Sequence, residues 1–411
     1  MDEEKIKKSF FNLKKDIEKL KDGLESVFRR IIDMENAVPV EKIDEKSPIF
    51  TSKVFVNNDM LQAVKEVFES GIFVLGEKTI EFERKFADFS GAKHAIAMAN
   101  GTVAIEIALK ALGIEEGDEV IVPSFTTMPT IEPILHLKAK PVFADIDEKT
   151  YTLDHTKIEK LITNKTKAIM PVHIYGNPAN MKEMQKICKK HKLFLIEDCA
   201  QAHNARYDGK HVGTFGDIGC FSFYPTKNLT VCGEGGMAVT DSDEIARKMR
   251  MLISHGENGR YNHVILGHNY RLSEIHAAIG IKQLELLNDF SERRRYIAKL
   301  YRELLYDTGL VLPEDQENGR HSYHLYVIRT DSKKRDEIIK RLKEDNIHCG
   351  IHYPVPCHKQ KIVKDMKLSK ISLPVTEKYV EEIISLPIYP ELKDNEIKFI
   401  SERMKNVLQE L

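Results

Sequence analysis

Apolar residues in the first forty positions fall at Ile6, Phe10, Leu13, Ile17, Leu20, Leu24, Val27, Ile31 and Met34, in alternating steps of four and three. This heptad seam predicts one amphipathic helix over about residues 3–36, ending before Pro39 and weakest at Gly23. The spacing suits either a helix lying on its own chain or a coiled coil joining subunits, and it leans towards self-association. From Ser90 onward the pattern changes to short apolar runs separated by helix-length amphipathic stretches. The runs His94–Ala99, Glu119–Pro123, Pro141–Ile146, Lys167–Ile174, Leu193–Asp198, Ile218–Tyr224 and Gly236–Thr240 are the predicted strands. Strands alternating with helices in this way predict an α/β fold whose sheet is mostly parallel and covered on both faces. A long helical pattern, Ser273–Leu305, leads out of the sheet and marks a boundary. Beyond it a strand (His324–Arg329), a Lys-rich helix (Lys333–Asp345), a Pro-interrupted segment (His352–Pro356) and a closing helix (Asp394–Leu411) suit a smaller α+β domain. The expected division is therefore residues 1–40 for the helical extension, 48–290 for the large domain and 291–411 for the small one.

Composition sharpens this picture. At 411 residues and 42% hydrophobic, the chain is too long for one core of ordinary size and too apolar to be disordered. Its 62 Lys+Arg against 63 Asp+Glu leave a formal charge of -1, so it has no global footprint for nucleic acid or an anionic membrane. Apolar stretches stop well short of the roughly twenty residues that cross a bilayer. Charges fill the start, MDEEKIKKSF, where a secretion signal needs its apolar core. A soluble, cytoplasmic protein is expected, with Cys188, Cys199, Cys220, Cys232, Cys349 and Cys357 as buried reduced thiols.

Ligands of such sheets sit beyond the carboxyl ends of the strands, and the residues there are unusual. Asn100-Gly101-Thr102 follows the first strand and opens a helical pattern. It suits a plain turn and N-cap, and equally an anion cradle of free backbone N–H groups. The chain contains neither GxGxxG nor GxxxxGK[ST], so dinucleotide and nucleoside-triphosphate readings lose their main support. Glu197-Asp198-Cys199-Ala200-Gln201-Ala202-His203 puts two acids at the end of an apolar strand, where a carboxylate is expensive to bury without a cation. Asp198 could cap a helix or hold a proton on a bound heterocycle. Ser222 ends another strand and Lys227 follows five residues later, a candidate Schiff-base former if partly desolvated. His348, Cys349, His352, Cys357 and His358 crowd together, but they lack CxxC spacing and prolines extend the chain between them, so no metal site is expected. Arg293, Arg294, Arg295 and Arg302 read as a solvated helix face.

Taken in order, Asn100-Gly101-Thr102, Glu197 to His203, Ser222 to Lys227, Gly233-Glu234-Gly235-Gly236 and Gly267-His268-Asn269-Tyr270-Arg271 resemble the DegT/DnrJ/EryC1/StrS family of sugar aminotransferases. The resemblance covers about residues 48–411 and includes Pro123-Ser124-Phe125-Thr126, Pro171 to Gly176, His352-Tyr353-Pro354 and Leu386 to Pro390. It implies the fold of type I pyridoxal 5'-phosphate enzymes and a homodimer, with pyridoxamine phosphate as the aminated cofactor. It further implies transfer of nitrogen from an amino acid, L-glutamate, to a nucleotide-linked keto-sugar in deoxyamino-sugar or polysaccharide biosynthesis. By the same resemblance Lys227 holds the cofactor covalently, Asp198 pairs with its ring nitrogen and Gln201 approaches its ring hydroxyl. Gly101, Thr102 and Ser222 hold the phosphate, joined by Asn269 of the neighbouring subunit. Thr126, His173 and His352 are expected near the substrate. One departure is Thr127, which stands where the family commonly stacks an aromatic residue on the ring. Two alternatives remain: a sugar dehydratase using pyridoxamine phosphate, whose family members carry histidine in place of Lys227, and an aminotransferase acting on a cyclitol or other cyclic ketone. A regulatory cofactor-binding role would leave the lysine, aspartate and serine set without use.

Overall fold

The computed structural model describes residues 48–368 and 371–411, so the predicted heptad helix lies outside the described residues. The large sheet is built from β1 (His94–Met98), β2 (Glu119–Pro123), β3 (Lys140–Ala144), β4 (Thr166–Ile169), β5 (Phe194–Asp198), β6 (Ile218–Ser222) and β7 (Gly236–Thr240), in the order β1-β7-β6-β5-β4-β2-β3. All neighbours are parallel except β7, which runs antiparallel to both β1 and β6. These strands are nearly continuous apolar runs because helices cover both faces, leaving no solvated side on which polar residues could alternate. The predicted strands are recovered with shifts of a few residues at their ends.

One face is closed by helix Gly101–Ala111, of which nine residues are buried, together with helices Met128–His136 and Asp243–Ile253. On the other face lie helices Glu77–Ser90 and Met181–His191 and the first half of Glu274–Leu305. This last helix has 32 residues and is capped by Ser273, whose Oγ accepts from the His276 N–H. Its first half meets helix Glu77–Ser90 so closely that a Cβ on Gly280 would stand 2.6 Å from the Phe82 ring. Its second half enters a separate core, where Ile297, Ala298, Tyr301 and Leu305 pack with Tyr326, Ile384, Leu386 and Ile397. That core carries an antiparallel pair, β8 (Tyr326–Arg329) and β9 (Ile383–Leu386), flanked by helices Ser332–Glu344 and Asp394–Glu410. β9 has no counterpart among the predicted elements: four fully buried residues are too few to show a period.

Two expectations are corrected here. Arg294 is 3% exposed, its Nη1 donating to the carbonyls of Tyr323, His324 and Ile388. Arg293 and Arg295 likewise donate to the carbonyls of Leu392 and His321, so this run ties the long helix to later segments instead of facing solvent. All six cysteines are free thiols, but Cys232 is exposed, in a loop leading to the Gly233–Gly236 run.

Candidate active site

The carboxyl ends of β1, β2, β5 and β6 converge with a segment of the second core. After β1, Asn100 caps helix Gly101–Ala111 by accepting from the Val103 N–H at 2.9 Å. The N–H groups of Gly101 and Thr102 are left at the open, positively polarised end of the helix. Gly101 lies against the end of β6, where an added Cβ would come within 2.6 Å of Ser222 Cβ and 3.1 Å of its Oγ. The glycine therefore brings two backbone donors beside the Ser222 hydroxyl, a concave donor set matched to a phosphate.

Asp198 ends β5 and is 2% exposed. Its Oδ1 accepts from the Ala200 N–H at 3.0 Å and its Oδ2 from the Thr130 hydroxyl at 2.8 Å. Burial pushes its carboxyl up, while those two donors and the Lys227 amine oppose the shift. Gln201 lies just beyond, its Oε1 accepting from the Tyr175 N–H at 2.6 Å and its Nε2 donating to Tyr353 Oη at 2.9 Å. Lys227 follows β6, and burial pushes its amine down to about 8, with Asp198 pulling the other way. Among the described residues no side chain hydrogen-bonds this amine. His352 lies within electrostatic reach of it, is pushed down to about 4 by burial and pairs through Nδ1 with Ser385 Oγ at 2.8 Å.

The structure thus gathers Gly101, Thr102, Asp198, Gln201, Ser222, Lys227 and His352 in one crevice. Asn269 is exposed, on the loop between helices Asp243–Ile253 and Glu274–Leu305, its Oδ1 accepting from Arg271 Nε at 2.8 Å. Thr126 and His173 lie behind the crevice. The single Thr130 proton goes to Asp198, so the 2.9 Å contact between the two threonine hydroxyls makes Thr126 the donor to Thr130. His173 is fully buried; its Nδ1 accepts from the Ala179 N–H at 2.9 Å, so its Nε2 donates to Glu197 at 3.0 Å. Thr127 is half-buried at the start of helix Met128–His136 without a capping hydrogen bond.

His173, Glu197 and Cys199 are a possible metal-ligand trio, the only such group among the described residues. Glu197 already accepts from the N–H groups of Gly213, Phe215 and Gly216, and His173 uses both nitrogens, so hydrogen bonding accounts for the acid. The His348–His358 run disperses: His348 lies tilted against the Phe50 ring, Cys357 donates to the Thr126 carbonyl and His358 bonds Ser124 Oγ.

Sequence reasoning gave no role to Thr130 or Tyr353, which hold Asp198 and Gln201. Thr130 had a local signal, since it stands in the first turn of the helix that follows the strand end carrying Thr126. Tyr353 stood in the His352-Tyr353-Pro354 run without a role of its own, because its contact with Gln201 depends on how the second core docks on the sheet.

The chain matches the DegT/DnrJ/EryC1/StrS aminotransferase family over residues 55–405. It is 40% identical over 353 residues, 86% of this chain and 95% of the relative, to a UDP-N-acetyl-3-dehydro-alpha-D-glucosamine 3-aminotransferase of Acidithiobacillus ferrooxidans. It is 42% identical over 344 residues, covering 84% and 94%, to a dTDP-3-amino-3,6-dideoxy-alpha-D-galactopyranose transaminase of Aneurinibacillus thermoaerophilus. Its fold superposes on S. venezuelae DesV, solved with a ketimine intermediate, with a TM-score of 0.83, 36% identity and coverage of 86% and 95%.

Proposed function

The chain belongs to the DegT/DnrJ/EryC1/StrS aminotransferase family, and from that premise we propose that it moves nitrogen from L-glutamate to the keto carbon of a nucleotide-linked sugar. It is a pyridoxal-phosphate-dependent aminotransferase. The cofactor supplies an electron sink for the pair left at the amino-acid Cα. The crevice fits that group: Gly101, Thr102 and Ser222 offer a phosphate three donors, and Asp198 offers a buried carboxylate to a protonated ring nitrogen.

The observation that carries the reading is the pairing of Lys227 and Asp198 across one desolvated space. Lys227 holds the cofactor and, when free, its Nζ takes a proton from the amino-acid Cα; burial makes the neutral amine accessible near neutral pH. Asp198 keeps a ring proton in place, and Thr130 fixes the carboxylate with Thr126 behind it. Gln201 and Tyr353, hydrogen-bonded to each other, would line the ring edge. His352 faces the substrate. Asn269 of a neighbouring subunit completes the phosphate cradle in a homodimer. Exposed apolar Ile72, Leu75 and Leu266 support such an interface. The sugar-nucleotide substrate is supported by relatives that act on UDP- and dTDP-linked sugars. Among the described residues no helix is long and apolar enough to cross a membrane, and we place the reaction in the cytoplasm with the pool of nucleotide sugars.

The test is a mass-spectrometric screen of nucleotide-linked 3-keto and 4-keto sugars with glutamate and cofactor, with Lys227→Ala as control. An aminated sugar nucleotide is expected from the wild type only. Amination of cyclic ketones but of no sugar nucleotide would overturn the substrate class, and a borohydride adduct mapped away from Lys227 would overturn the site.

A further inference from the structure

Beside Lys227 lies a set of buried polar atoms that make no well-aligned hydrogen bond to any described residue: both ring nitrogens of His203, apart from a marginal contact with the Ser222 backbone, and Asn228 Oδ1, Arg294 Nε, Ser322 Oγ and His324 Nδ1. Their residues are neighbours. Asn228 Nδ2 donates to the Ser322 carbonyl at 3.0 Å, and Arg294 Nη1 to that of His324 at 3.3 Å. Gly176 closes the group from outside, since a Cβ there would meet Ser322 Oγ at 2.5 Å and the His324 backbone nitrogen at 3.1 Å. The His203 ring packs between Phe221 and Phe223, with centroids 5.6 and 5.7 Å away. An unanswered buried polar atom is destabilising, and folded proteins meet such atoms with ordered water where several converge.

We infer that His203 and His324 are positioning residues for Lys227, holding with Asn228, Ser322 and Arg294 a small cluster of ordered water that solvates the lysine nitrogen from the protein side. The inference rests on the reading of Lys227 as the cofactor-bearing lysine. Water there turns its oxygen towards a positively charged nitrogen and a hydrogen towards a neutral one, so the lysine keeps a partner in both forms. The imidazoles serve because they are neutral: burial pushes His203 down to about 3 and His324 well below the usual range, with the Lys227 charge adding to both shifts. The groups facing Lys227 are Asp198 from β5 and the imidazoles of His203, His324 and His352. Arg294 faces His203 and His324, and Glu391 faces Arg294 in turn.

The readout is the pH at which the visible absorption band of the full-length holoenzyme shifts. His203→Phe and His324→Phe keep an aromatic ring and remove the nitrogens. Each is expected to lower the midpoint by about one pH unit, because the positive form loses its solvation. His324→Gln, which keeps polar atoms, is expected to restore most of that shift. A lower melting temperature with an unmoved midpoint indicates an ordinary structural role and overturns the inference. If the phenylalanine variants do not fold, a high-resolution crystal structure of the wild type decides: water within about 3 Å of the His203 and His324 nitrogens supports the inference, and a dry cluster overturns it. A wild type lacking any visible band overturns the reading of Lys227 itself, which separates the two failures.

Discussion

At the scale of single residues the site is a problem of keeping one carboxylate ionised while buried. Among the described residues no cation touches Asp198, and its charge is carried by the Ala200 N–H and the Thr130 hydroxyl, with Thr126 donating to Thr130 behind it. A hydrogen bond to a charged group contributes about 1.5–3 kcal/mol, and 1.4 kcal/mol is tenfold in rate. Thr130→Val should therefore lower kcat by roughly tenfold to a hundredfold, with a smaller loss for Thr126→Val, which acts one bond further away. Steady-state kinetics check the order, and a Thr130→Val enzyme with wild-type turnover would remove the threonine relay from the mechanism. Lys227→Ala removes anchor and base together. It should still bind pyridoxamine phosphate in an absorbance titration while losing turnover; retained turnover would put the base elsewhere.

Elements explain which parts of this arrangement could be read from the chain. Buried parallel strands are continuous apolar runs, so their carboxyl ends, and with them Gly101, Asp198, Ser222 and Lys227, stand out as polar interruptions at known places in the sheet. Thr130 reaches Asp198 only because β2 and β5 flank β4, an order that spacing along the chain does not encode. Arg294 looks like one charge in a basic run because its partners are backbone carbonyls, which leave no mark in a sequence. Gly101 tests the element-level account. Alanine there adds a methyl 2.6 Å from Ser222 Cβ, so helix and strand must part. Helix propensity favours alanine over glycine by up to about 1 kcal/mol, which offsets part of the strain in the fold but none in the cradle. Gly101→Ala is thus expected to weaken cofactor binding by at least about tenfold with a comparatively small change in melting temperature. Fluorescence titration and a thermal melt on one sample separate the two effects, and unchanged affinity would remove the Gly101 backbone from the phosphate site.

For the whole molecule, folding buries an unusual set of imidazoles. His203 and His321 are pushed down to about 3, His211 and His352 to about 4, and His324 well below its usual value, burial being the first cause in each. Unfolded, each takes up a proton near pH 6.5. Between that value and its depressed native value the unfolded chain binds more protons, so stability rises with pH across this window and falls as acid is added, by up to about 1.4 kcal/mol per pH unit for each group. Glu377, held down to about 2 first by Lys359, also loses its contribution in acid, but only below about pH 4.5, where its unfolded form begins to protonate. The melting temperature should therefore drop from about pH 6.5 downward, before structural carboxylates titrate, and a flat profile between about pH 7.5 and 5.5 would show that these rings are not neutral and buried together. His211 isolates one contribution, because its ring lies against Phe89 at 4.8 Å and its buried Nε2 has no hydrogen-bond partner among the described residues. His211→Phe keeps the ring contact and removes the protonation site. It should melt higher than the wild type near about pH 5.5 and nearly the same near about pH 7.5, a crossing that a change in packing alone would not produce.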